Sequence, residues 1–131
     1  MRTLPVRRME QQYYPYYPPQ APHNMLLTHR IQSWDFTSFD IPDIRNPNTN
    51  LVVKEARIHN DASVDISEDG TILVTLIPSN LAIPHSMVGI FGLKPRSEFG
   101  RCLATCSLES SAVSVSLSPT ARHLIVGLTV R

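Results

Sequence analysis

Cys102 and Cys106 stand four residues apart, His59 and Asp61 lie just ahead of Ser63, and Asp65, Glu68 and Asp69 crowd one short stretch. These groupings have the residue types for thiol or zinc chemistry, nucleophilic hydrolysis and cation binding. On a strand of period 2 the two cysteines share a face but lie about 13 Å apart, given the rise per residue. That exceeds the reach of a disulfide or a shared zinc ion without a bulge. They are expected as buried structural thiols. Ser63 falls in strand text, with no nucleophile elbow and no run of glycines to supply an oxyanion hole, so His59 is expected as a turn histidine with a hydrogen-bond partner. A calcium loop needs more oxygen ligands at fixed offsets than the acidic group offers, and solvated turn charges are expected there. Gly89 and Gly92 lie in a strand with no helix behind them, which suits a bulge or close backbone packing rather than a phosphate loop. No catalytic residue, cofactor or metal is assigned, and the chain reads as no enzyme.

Composition agrees with a binding role. The 131 residues carry a net charge of +1, 18% are charged, and no block of Lys and Arg stands out. Nucleic-acid and membrane-surface affinity rest on such blocks. No run approaches the ~20 apolar residues of a membrane span. Nothing after Met1–Arg8 resembles the apolar core and cleavage site of a secretory signal. Two cysteines and no Asn-x-Ser/Thr acceptor fit a reducing interior, and a cytoplasmic location is expected.

Two regions of different texture follow one another. Residues 1–28 include the run Gln11-Gln12-Tyr13-Tyr14-Pro15-Tyr16-Tyr17-Pro18-Pro19-Gln20, which has no period of 2 or 3.6 and few aliphatic side chains. Such a segment cannot offset its ordering entropy, and a disordered tail is expected. From His29 to Arg131, runs rich in Val, Ile and Thr alternate with turn residues. Strands are expected over 29–36, 51–57, 63–67, 71–77, 87–93, 99–106, 112–117 and 123–130. The turn at Asp69-Gly70 joins the third and fourth of these in a hairpin. No segment carries a capped helical stripe, so the ordered part is all-β.

An internal repeat organises these strands. Ser63-Val64-Asp65-Ile66-Ser67 recurs 51 residues on as Ser114-Val115-Ser116-Leu117-Ser118, and each copy runs on through a turn into another strand. A period of about 40–50 residues with four strands per unit is the mark of a propeller blade. Ser118-Pro119-Thr120-Ala121-Arg122 has the form common between the first two strands of a WD-repeat blade. Trp34-Asp35 sits where such a blade carries its Trp-Asp dipeptide, and Trp34 is expected to fill the gap between blades. His59 falls near the usual Gly-His turn, with Ile58 in place of glycine. The expected fold is therefore a partial WD-repeat β-propeller of about two blades. A β-sandwich with similar hairpins is the alternative. Closed propellers hold about four to eight blades, so two leave edges and faces open. The chain is expected to be part of a longer one and to need the remaining blades in order to fold.

Several stretches carry a more particular likeness: His29-Arg30-Ile31-Gln32-Ser33-Trp34-Asp35-Phe36, Ile58-His59-Asn60-Asp61-Ala62-Ser63, Asp65-Ile66-Ser67, Val113-Ser114-Val115-Ser116-Leu117-Ser118-Pro119 and Val126-Gly127-Leu128. They resemble the C-terminal WD-repeat segment of the Ambra family of autophagy regulators, over about residues 29–131. The resemblance implies a split propeller that serves as substrate receptor of a cullin-RING ubiquitin ligase. It also implies promotion of autophagosome formation and mitophagy through beclin, with beclin, the ligase adaptor and ligase substrates as partners. Autophagosome and mitochondrial surface are the implied locations. Such receptors often place an Arg two positions after Trp-Asp to meet the adaptor; Thr37 stands there, so adaptor docking through this motif is not expected.

Protein contacts are expected in the loops. Residues 37–50 form a long connection, with Phe39, Ile41, Asp43 and Arg45 as candidate contacts, and residues 79–86 a second, with Asn80 and His85. A generic interaction module outside autophagy, a propeller hydrolase using His59 and Asp61, and an adaptor ligand acting through its Tyr-Pro tail are the competing readings.

Overall fold

A computed structural model describes residues 27–79 and 86–130. The tail expected over residues 1–28 lies almost wholly outside that range, as do Asn80 and His85.

The described residues are all-β, with strands β1 (His29–Gln32), β2 (Leu51–Ala56), β3 (Val64–Ile66), β4 (Ile72–Ile77), β5 (Ser86–Gly92), β6 (Cys102–Leu108), β7 (Ala112–Leu117) and β8 (Leu124–Leu128). A 3-10 turn, Asp61–Ser63, leads into β3. Eight strands were expected as about two four-stranded units. They form instead one four-stranded meander, β3-β4-β5-β6, between two hairpins, β1-β2 and β7-β8. All the ladders are antiparallel, and none of the sheets closes on itself.

Alternation along β4 and β5 explains how the middle sheet holds both neighbours, because successive side chains on a strand leave by opposite faces. Leu73 and Phe91 point to one side and share a core with Val52, Val53, Ala56 and Leu93. Val74, Leu76 and Val88 point to the other and pack with Ala112 and Val115. The two hairpins therefore cover opposite faces of the meander.

The repeat read from the sequence recurs atom by atom in the two hairpin turns. Ser67 N–H donates to Ile72 O and Ser118 N–H to His123 O, both at 2.9 Å. The Ser67 hydroxyl accepts from Ile72 N–H at 3.0 Å, and the Ser118 hydroxyl accepts from His123 N–H at 3.1 Å. Gly70 (φ 71°) and Ala121 (φ 54°) both occupy the left-handed region.

Candidate protein-contact surface

The loop between β1 and β2 is long but firmly anchored. Gln32 reaches back with its side-chain amide and donates to Asn46 O at 2.9 Å and Thr49 O at 2.8 Å. The Arg30 guanidinium donates to Ile44 O at 3.3 Å. Between these anchors the chain folds through three short side-chain-to-backbone turns. Asp35 accepts from both the amide and the hydroxyl of Thr37, Asp43 from the amide of Arg45, and Asn46 from the amide of Asn48. Asx turns of this kind satisfy backbone donors that no strand partner reaches.

This scaffold holds apolar side chains out in water. Phe39 is 84% exposed and Ile41 94%, and Phe39 adopts a left-handed backbone (φ 57°) that a bulky residue rarely takes. Asp43 and Arg45 form an exposed ion pair at 3.0 Å. The Arg45 side chain and amide together hold the Asp43 carboxyl below its ordinary range. The Thr37 hydroxyl, and then its amide, do the same for Asp35. Phe39, Ile41, Asp43 and Arg45 thus share one exposed loop.

Beside the loop, at the junction of the first hairpin with the middle sheet, lies a cleft of about 520 Å³. Trp34, Asp35 and Asn50 line one part of it, and Leu93, Arg96 and Phe99 another. Trp34 was expected as a core residue and is only half-buried, because the hairpin carrying it has no strand beyond β1 among the described residues. Its indole N–H is shielded from water and has no partner among the described residues.

Of the groupings that could have done chemistry, those around Ser63 and around Asp65 and Asp69 have structural work. The Ser63 hydroxyl is fully buried and accepts from the amides of His59 (3.0 Å) and Asn60 (3.3 Å). It caps the 3-10 turn together with Asn60. Two cysteine expectations divide. The thiols are free, as the spacing requires, but both are exposed rather than buried. Among the described residues β6 is an edge strand bonded to β5 alone, and all but its last residue is exposed.

The acidic group also needs correcting. Asp65 is no solvated turn charge: it is half-buried, and its carboxylate accepts the Leu117 amide at 2.7 Å, tying the meander to the last hairpin. Asp69 gathers the Ser67 hydroxyl (2.7 Å), the Thr71 hydroxyl (2.7 Å) and the Thr71 amide (3.1 Å), which lower its pKa in that order by donor. Glu68 alone is simply exposed. Among the described residues no three His, Cys, Asp or Glu side chains come together as a metal site. None of their helices is long and apolar enough to cross a membrane. At Gly92 a Cβ would meet Glu98 O at 2.5 Å, the close packing its position in a strand suggested.

The inter-sheet roles of Asp65 and of Ser86, whose hydroxyl accepts the Ala112 amide at 2.7 Å, were not read from the sequence. One signal was present for Asp65. It is charged where its repeat counterpart, Ser116, is not, and an asymmetry inside a repeat marks a residue with a partner of its own.

The described residues thus combine open antiparallel sheets with a loop that exposes Phe39 and Ile41. The chain is similar to a segment of autophagy regulators. No protein-family model matches it. Over 106 residues, 79% of the chain, it is 42% identical to "Activating molecule in BECN1-regulated autophagy protein 1A" and, to the same degree, to protein 1B, both of Danio rerio. The chain spans 8% of the length of each. The Ambra-family likeness read from short motifs is thus borne out as a resemblance to one segment of those proteins.

Proposed function

We propose that this chain is a non-catalytic propeller segment that regulates autophagy through protein contacts. The similarity to the two zebrafish regulators, over 79% of the chain, carries the reading. The fold supports it. The meander β3-β4-β5-β6 has the four antiparallel strands of a blade, the repeat supplies the first half of the next one, and β1-β2, ending at Trp34-Asp35, the last half of the one before. In this reading the chain works in the cytoplasm and at the autophagosome and mitochondrial surface, within a protein that binds beclin and serves a cullin-RING ligase as substrate receptor. Thr37 in place of the Arg used for adaptor contact assigns ligase docking to other blades. The contact surface is the loop bearing Phe39 and Ile41.

Grafting residues 29–131 into the zebrafish 1A protein in place of its matching segment tests the reading. Autophagosome counts under starvation should be retained, and should fall when the graft carries Phe39→Ala with Ile41→Ala. A graft that folds but leaves autophagy at the level of the deletion would sink the proposal.

A further inference from the structure

We draw no further inference here: the strongest candidate, the cleft between the first hairpin and the middle sheet lined by Trp34, Leu93, Arg96 and Phe99, carries nothing because nothing in the structure shows what covers it or what accepts from the Trp34 indole N–H.

Discussion

Hairpins β3-β4 and β7-β8 have the same turn, the same serine hydroxyl accepting across it and the same alternation, yet their second strands live in different surroundings. Val74 is fully buried, while its counterpart Ile125 is 66% exposed. Thr75 is fully buried and Val126 half-buried. Local structure in this molecule is written in the turn: a serine hydroxyl, a left-handed residue and two apolar strands suffice. Burial is supplied by neighbours. β4 has β5 on its open side and a sheet against each face, and among the described residues β8 has neither.

The sharpest way to break the comparison is to put a charge at both positions. Val74→Asp sets an unpaired carboxylate in a dry core and should cost about 3–5 kcal/mol, enough to unfold the chain. Ile125→Asp in dilute solution should change stability by no more than about 0.5 kcal/mol. Urea unfolding followed by Trp34 fluorescence checks both. Equal losses would mean that β8 is covered by something the isolated chain supplies.

A smaller contrast runs through Asp65 and Ser116. Removing the carboxylate with Asp65→Ala leaves the Leu117 amide without its acceptor in a half-buried site, and should cost about 1–3 kcal/mol. Ser116→Ala should be silent. Hydrogen exchange at Leu117 distinguishes a local from a general effect. The expected result is faster exchange across β7-β8 with β4-β5 unchanged, since Asp65 is a tie between sheets rather than a part of either ladder.

These contrasts show why the sequence was legible in some places and not in others. Strand positions came through because alternation and turn residues are local: Ser67-Glu68-Asp69-Gly70-Thr71 makes a hairpin whatever surrounds it. The exposure of Cys102, Cys106 and Trp34 did not, because period 2 says which residues share a face but not whether a sheet lies over it. The grouping of eight strands into a meander and two hairpins was hidden for the same reason. A strand reads alike whether it ends one sheet or begins the next. In the loop at 37–50, Asp, Asn and Pro marked a connection, but the anchoring by Gln32 and Arg30 depends on side chains from a neighbouring strand, which no local pattern reveals.

The turn residues themselves make the next contrast. Gly70 has no heavy atom within 4 Å of where a Cβ would stand, so Gly70→Ala meets no clash and pays only the left-handed backbone penalty, about 1 kcal/mol. Ala121 already carries that penalty. Ala121→Gly should relieve it and raise stability by up to about 1 kcal/mol, less the extra entropy of glycine in the unfolded chain. Paired denaturation curves should therefore move in opposite directions. Movement in the same direction would show that the two turns are not equivalent in solution.

The smallest expected effect separates the turns by pH. In the first, Asp69 accepts from Ser67 and Thr71, and these donors hold its pKa below the ordinary 3.8. The second has Thr120 at the same place, whose hydroxyl meets that of Ser118 at 3.4 Å and has no charge to lose. A carboxyl whose folded pKa is depressed adds stability that is fully present above its unfolded pKa, and this is lost as pH falls through the folded value. The turn at 67–71 should thus loosen below pH 3.8, while the turn at 118–122 keeps its geometry. Amide exchange or chemical shifts of Thr71 and His123, followed from neutral pH downward, would show it. In Asp69→Asn the acid-dependent change at Thr71 should vanish, because the amide oxygen still accepts but does not titrate. A change at Thr71 that survives in Asp69→Asn would place the titrating group elsewhere and remove Asp69 as the feature that makes the two hairpins respond differently.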